Sequence, residues 1–311
     1  MCAMPATLIV TGFLRAHQAA GRPRLPALER MLGRATALQA RHTHAYLASL
    51  FGLEGLAVAP FMRLADGGAA DTNYWLRADP VHLAPDRDQL VLMPPAVLEV
   101  TREETRALAK AFDVTYAGEG WSLEFPHPEH GYLKAPKSLD VVTHDPEPFV
   151  GGPVLAAMPT GPDGQSLKQL MNETQMLFHT HPVNSAREDA GRPAINSLWL
   201  WGGGSLPAAT GKAPLRMVGD IPLLRGLASW AGKPVTDLKD AAQVQDGDVI
   251  GLEVGDLDSL EQDWFEPLFA KVKSGGIRHL DIHLEGLGDF ALSSGGARRF
   301  WRFGRSLGVP Q

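Results

Sequence analysis

Residues 7–11 (TLIVT) form an unbroken apolar run rich in β-branched side chains and stopped by Gly12, the pattern of a buried strand. Pro26 then opens a segment whose apolar positions Leu28, Leu32, Ala35 and Leu38 follow the 3.6-residue period. A helix is expected from there, continuing through Tyr46 to Leu50 and stopping before Gly52. A strand passing directly into a helix is the first half of an α/β unit. The far end of the chain repeats the alternation. Residues 249–254 and 279–284 read as strands, and Asp258 and Glu261 begin a helix between them that Pro267 kinks or splits.

Between these ends the pattern is less regular. Residues 75–83 and 88–93 read as two strands joined by a turn at 85–87. Thr101-Arg102-Glu103-Glu104 is a capping box ahead of a helix with Leu108, Ala109 and Phe112 on one face. Residues 118–164 are dense in proline, glycine and histidine, which suits short strands and loops. Ser166 caps a helix carrying Leu167, Leu170, Met171, Leu177 and Phe178, ended by His181-Pro182. Residues 196–201 (NSLWLW) read as a strand closed by Gly202-Gly203-Gly204. Asp220 caps the next helix, with Pro222 in its first turn and Gly232 past its end. No internal repeat is present. One α/β core interrupted by an inserted subdomain accounts for this order.

With 311 residues the chain can bury one large or two ordinary cores. Its net charge of −6 comes from interleaved acidic and basic residues, which argues against a nucleic-acid surface. Cys2 is the only cysteine, so a disulfide framework and a cysteine zinc site within the chain are excluded; Cys2 is expected to be a mobile terminal residue. The apolar run 6–10 is too short for a signal segment or a membrane span and follows no positive region. A cytoplasmic protein without a membrane partner is expected.

Residues 172–204 hold the densest set of ligand-type side chains. His179, His181, Asn184, Arg187 and Arg192 fall between a helix and a strand. Guanidinium forks match planar anions, so phosphate or carboxylate binding is one reading. The other is a turn asparagine with two solvated arginines. Gly202-Gly203-Gly204-Ser205 can bring backbone N–H groups to an anion, but it lacks the spacing of a P-loop or a GxGxxG turn, and a tight loop is the simpler reading. His279, Asp281, His283 and Glu285 alternate with Leu280, Ile282 and Leu284. Period two puts the four polar residues on one strand face, which can hold a divalent metal or can be the solvated face of an outer strand. His42-x-His44 and His127-x-x-His130 lack a matching carboxylate and read as surface histidines. No G-x-S-x-G elbow and no H-E-x-x-H occurs.

Taken together, residues 170–204 (LMNETQMLFHTHPVNSAREDAGRPAINSLWLWGGG) resemble the HPVN-x-x-R, PAN and WLWG-x-G segment of the archaeal-type cofactor-independent phosphoglycerate mutases. The resemblance continues into 219–232 (GDIPLLRGLASWAG) and, more weakly, into WLRADPVHL at 75–83, the helix at 102–109, Thr143-His144-Asp145 and residues 8–32. It implies an alkaline-phosphatase-like core sheet flanked by helices, formed by 1–74 with 206–311 and interrupted by an inserted α+β subdomain at 75–205. It also implies that His181, Asn184, Arg187, Arg192, His144 and Asp145 face an anionic ligand. Members of that family pass a phosphoryl group from a serine or threonine with two divalent metals, usually Mn²⁺ or Zn²⁺. This chain departs from the family at the metal ligands. Thr11-Gly12 replaces Asp-Gly, 253–260 (EVGDLDSL) lacks the histidines of the ligand run, and Glu285-Gly286 replaces Asp-His.

The strings ADPVHL and NSLWLWGGG are similar to those of a smaller bacterial group, the RpfE-type regulatory proteins. The expectation is therefore a catalytically degenerate phosphoglycerate-mutase relative without a resident cofactor, binding a small phosphorylated or carboxylate ligand or a protein partner in a regulatory role. Two rival expectations stand beside it. One is an active Mn²⁺ or Zn²⁺ phosphotransferase rebuilt on His279, Asp281, His283 and Glu285. The other is a structural partner-binding protein with the Trp199/Trp201 strand as core.

Overall fold

The computed structural model describes residues 4–87, 89–214, 216–236, 240–299 and 307. Cys2 and the first residue of the strand expected at 88–93 lie outside them. The chain is a mixed α/β protein that divides into two units, residues 1–56 with 209–311 and residues 57–208. Among the described residues no helix is long and apolar enough to cross a membrane.

The first unit begins with β1 (Ala6–Thr11), α1 (Phe13–Ala19), α2 (Pro26–Arg34), β2 (Thr36–Ala37) and α3 (Thr43–Leu50). The second unit opens with α4 (Val58–Ala65), β3 (Tyr74–Val81), β4 (Leu83–Asp86) and β5 (Gln89–Leu92). It continues through α5 (Arg102–Tyr116), β6 (Ser122–His127) and β7 (His130–Ala135). It closes with α6 (Gly164–His179), α7 (Pro182–Asp189) and β8 (Ser197–Gly204). The chain then returns to the first unit with β9 (Arg216–Gly219), α8 (Pro222–Trp230), β10 (Val235–Thr236) and β11 (Asp248–Glu253). Last come α9 (Leu257–Ser259), α10 (Glu266–Ser274), β12 (His279–Leu284), β13 (Gly288–Ser293) and α11 (Ser294–Ala297).

In the first unit the strands form one sheet in the order β10-β9-β11-β1-β12-β13-β2. The first five run parallel, β13 runs antiparallel to β12, and β2 runs antiparallel to β13 in turn. Leu8 and Val10 of β1, Ile250 of β11 and Leu280, Ile282 and Leu284 of β12 pack with α2 and α10 in one apolar core. Period two sends the alternate residues Thr7, Asp281 and His283 to the other face, where α3 lies. β12 runs between β1 and β13, so its polar face is not the solvated face of an outer strand. It is a polar layer inside the unit.

The second unit has an antiparallel sheet in the order β6-β7-β3-β8 and a separate β4-β5 hairpin. Leu76, Ala78, Leu133, Leu198 and Leu200 pack against Leu108 and Phe112 of α5 and Leu167, Met171 and Phe178 of α6. Trp75 and Tyr132 pack with Ala59 of α4.

Several expectations are corrected by longer-range contacts. The helix from Pro26 stops at Arg34 because Ala35 turns extended and Thr36 and Ala37 pair with Ala291 and Phe290 of β13. Leu38 donates its N–H to the Asp289 carbonyl at 2.8 Å, and a new helix begins only at Thr43. α6 does end just before His181-Pro182, at His179, and the pair also starts the next helix, with His181 as N-cap and Pro182 in the first turn of α7. Ser166 lies inside the first turn of α6, whose N-cap is Asp163. Asp220 does not cap α8; its carboxylate accepts the Glu253 N–H at 3.2 Å. The split expected at Pro267 is present: Pro267 lies in the first turn of α10, where its missing N–H is least costly. A π-helical turn, Leu260–Phe265, separates α10 from α9. The three glycines belong to β8 rather than to a loop. A Cβ on Gly203 would sit 2.6 Å from Tyr74 Oη and 2.7 Å from Leu76 Cδ2, so a side chain there would have to displace the ends of both.

Candidate functional site

The HPVN block is a clasp inside the second unit. Asn184 is buried and bridges two segments: its Nδ2 donates to the carbonyls of Phe178 (2.8 Å) and Ile195 (2.9 Å), and its Oδ1 accepts the Ile195 N–H at 2.8 Å. Arg187 is 1% exposed. Its Nη1 donates to both oxygens of Glu104 at 2.9 Å, its Nε to the Pro193 carbonyl at 2.7 Å and its Nη2 to the Leu98 carbonyl. Arg192 adds an Nη1 contact to Glu104 at 3.3 Å and an Nη2 contact to the Glu99 carbonyl. The two arginines do converge, but on the protein's own carboxylate.

Glu104 is fixed from the other side as well. It closes the capping box of α5, accepting the Thr101 N–H at 2.8 Å while Thr101 Oγ1 accepts the Glu104 N–H. Burial pushes its carboxyl up, but the Thr101 N–H and the Arg187 guanidinium outweigh that and hold it below the usual carboxylate range. His181 caps α7 by accepting the Val183 N–H at 3.2 Å, and burial lowers its pKa. His144 and Asp145 serve another cluster: the His144 carbonyl accepts the Trp199 Nε1–H at 2.8 Å, and Asp145 accepts the Glu147 N–H at 3.0 Å. The six expected anion residues are thus split between two places, and in the larger group the arginine donors are spent on protein acceptors.

Trp199 is buried, and Trp201 donates its indole N–H to Asp79 at 2.7 Å. His130 is not a free surface histidine, because it contacts the Asp66 carboxylate at 2.9 Å, which also accepts the Tyr132 hydroxyl at 2.6 Å. His42 is the N-cap of α3 and accepts the His44 N–H at 3.4 Å.

The polar layer of the first unit is more concentrated. At the C-terminal end of β12, Glu285 turns its carboxylate back over β1. One oxygen accepts the Gly12 N–H at 2.6 Å and the other the Thr43 hydroxyl at 2.7 Å. Thr43 Oγ1 also lies 2.9 Å from His283 Nε2, and His283 Nδ1 lies 2.6 Å from Asp289. Thr43, His283 and Asp289 are 4%, 1% and 1% exposed. Arg41 completes the row, donating to Asp289 at 3.0 Å with its guanidinium 4.2 Å from the centre of the Tyr46 ring. Thr43 has one hydroxyl proton. That proton is given to Glu285, and Asp289 is the partner on the other side of the imidazole.

The other expected metal residues do not join this row. His279 stands at the exposed start of β12, and Asp281 is half-buried beside Thr7 of β1. Burial raises the Asp281 carboxyl, and it raises the Tyr46 phenol as well. Open α/β sheets bind ligands outside the C-terminal ends of their strands, and a cleft there, beyond β9 and β11, is lined by Asp220, Glu253, Asp256 and Asp263. Asp220 and Asp256 are already acceptors, for the Glu253 N–H and for the Ser259 N–H at 2.7 Å. Thr11 donates its hydroxyl to the Leu252 carbonyl at 3.4 Å. Among the described residues no three His, Cys, Asp or Glu side chains gather in a metal-binding group. The donor set therefore does not fit the pair of divalent cations that the sequence resemblance implies.

Thr43, Asp289, Arg41 and Glu104 carried no motif that marked them for this role. Only Glu104 stood in a pattern, the capping box, and that pattern speaks of a helix start rather than of Arg187.

No family model matches the chain. Its sequence relatives are phosphoglycerate mutases of the 2,3-bisphosphoglycerate-independent type. It is 25% identical over 232 residues to a probable enzyme of this type from Geobacter sulfurreducens, covering 72% of this chain and 57% of that protein. It is 28% identical over 153 residues to the enzyme from Methanosarcina barkeri, covering 46% of this chain and 37% of that protein. The chain thus matches little more than half the length of the first relative and less of the second. Among solved structures, the PH0037 protein of Pyrococcus horikoshii superposes over 99% of this chain and 92% of its own with a TM-score of 0.50 at 14% identity, a shared fold. The fold is the alkaline-phosphatase-like one of the phosphoglycerate mutases.

Proposed function

We propose that this chain is a phosphoglycerate-mutase-like protein that has lost metal-dependent phosphoryl transfer and serves a regulatory role by binding, its partner being a protein or a small phosphorylated or carboxylate ligand. One observation carries the reading. Glu285, at the position where the resemblance places a metal ligand, has both carboxylate oxygens engaged by Gly12 and Thr43. To coordinate a cation Glu285 would have to share its carboxylate with these two donors or turn away from them, and Thr11 offers only a hydroxyl turned to Leu252. Arg187 and Arg192 support a structural role for the HPVN block, because a ligand there would have to displace Glu104.

A second reading, in which chemistry survives on a rebuilt site, draws on the row Thr43–His283–Asp289. Hydroxyl, imidazole and carboxylate in hydrogen-bond series is the arrangement of a base-activated nucleophile. Here the hydroxyl proton is turned to Glu285 rather than to the imidazole, and Thr43 is nearly sealed from solvent.

Assays of phosphoglycerate interconversion and of aryl phosphate hydrolysis, with Mn²⁺, with Zn²⁺ and with neither, separate the two. No turnover above a protein-free control is expected. Turnover that disappears in Thr43→Val overturns the proposal in favour of the second reading.

A further inference from the structure

The Glu285 carboxylate is bound the way a protein binds a small anion. Its two oxygens meet two donors from distant parts of the sequence, the backbone N–H of Gly12 at 2.6 Å and the hydroxyl of Thr43 at 2.7 Å. The donors are positioned independently of the acid they hold. Gly12 sits in the β1–α1 turn with φ +69°, and Thr43 opens α3 and is also in contact with His283 at 2.9 Å. The Glu285 backbone is fixed in turn by its N–H on the Val10 carbonyl at 3.0 Å and its carbonyl on the Leu14 N–H at 3.2 Å. The carboxylate therefore reaches a cradle whose walls stay in place without it. Glu285 and Gly12 are only half-buried, so solvent reaches the cradle's rim.

We infer that Gly12 and Thr43 form a carboxylate-binding site which the chain fills with its own Glu285, and that a free monocarboxylate occupies the site when that side chain is removed. The inference goes beyond the loss of phosphoryl transfer and is read from stability rather than turnover, so either can fail without the other. The charged and titratable neighbours, His283, Asp289, Arg41, Asp281 and Tyr46, remain in all the variants below.

The test is thermal unfolding of full-length Glu285→Ala in sodium formate, sodium acetate or sodium chloride at equal ionic strength. Two charge-assisted bonds are lost, so the unfolding midpoint is expected to fall by roughly 4–10 °C. Formate is expected to restore at least half of the loss in a saturable manner, and chloride is not. Wild type is expected to respond equally to the salts, because its site is full. Thr43→Val in the Glu285→Ala background is expected to abolish the formate response. Equal recovery in formate and chloride, or a formate response that survives Thr43→Val, overturns the inference. If Glu285→Ala is obtained only unfolded, its refolding yield in formate against chloride reads the same question, and equal yields overturn it.

Discussion

Arg187, in the last turn of α7, grips both carboxylate oxygens of Glu104, in the first turn of α5, at 2.9 Å. The same guanidinium holds the carbonyls of Leu98 and Pro193. A residue of ligand type inside a ligand-type motif is here the tie between two helices and the segments leading into and out of them.

Removing one partner of such a pair leaves the other charge stranded. Arg187→Ala is expected to destabilise the protein by about 3–5 kcal/mol. Arg187→Lys should recover little, because a single ammonium does not reproduce a fork that spans a carboxylate and two carbonyls. Urea unfolding measures both variants. A loss below about 1 kcal/mol for Arg187→Ala, within the range of ordinary surface changes, would show that the arginine is not structural.

Acid should loosen the same tie. Burial pushes Glu104 up, but Thr101 and Arg187 outweigh it, so its folded pKa lies below the unfolded value. Asp66 follows the same pattern, burial being outweighed by His130 and Tyr132. Stability from both is then complete above the unfolded carboxylate pKa, near ~4, and is lost as pH falls through the folded values. The unfolding midpoint should change little on this account between neutrality and pH ~5 and drop below pH ~4. Glu104→Gln should lower it at neutral pH and flatten the acid drop. Parallel acid limbs for wild type and Glu104→Gln would contradict the assignment.

The glycines of β8 give a prediction of the opposite kind, an added atom. A Cβ on Gly203 meets Tyr74 Oη and Leu76 Cδ2, whereas one on Gly55 meets nothing within 4 Å. Gly203→Ala is expected to cost about 1–3 kcal/mol. Gly55→Ala is expected to stay within about 0.5 kcal/mol of wild type. Similar effects from the two would show that the approach of β3 to β8 does not need glycine.

In the polar layer the order of effects is the test. Asp289→Ala leaves the buried His283 without its carboxylate partner and removes the Arg41 contact, and is expected to cost about 3–5 kcal/mol. Thr43→Val removes one hydroxyl from between Glu285 and His283 and is expected to cost about 1–3 kcal/mol. Chemical denaturation of the two variants ranks them, and the reverse order would mean that Asp289 is not the anchor of the row.

Local patterns carried much of this fold. The TLIVT run is β1, the Thr101–Glu104 box caps α5 with both reciprocal bonds, and the alternation from His279 to Glu285 does put its polar residues on one face. What patterns could not carry is which distant residue receives each of them. Thr43 and Glu285 are 242 positions apart, and Arg187 and Glu104 are 83 apart. Periodicity registers neighbours two, three or four residues away and nothing beyond. The same limit explains the glycines of β8, which read as a loop because glycine weakens an isolated strand, while the Tyr74 and Leu76 side chains of β3 fill the space beside Gly203. Arg187 read as an anion ligand for a reason of the same kind, since its acceptors lie on elements far away in sequence.

The most direct test of the central claim is the Mn and Zn content of protein purified without chelators, measured on the same sample as the interconversion of phosphoglycerates. Substoichiometric metal and no interconversion are expected, with Glu285 bound to Gly12 and Thr43. Stoichiometric Mn²⁺ or Zn²⁺ accompanied by turnover would contradict it.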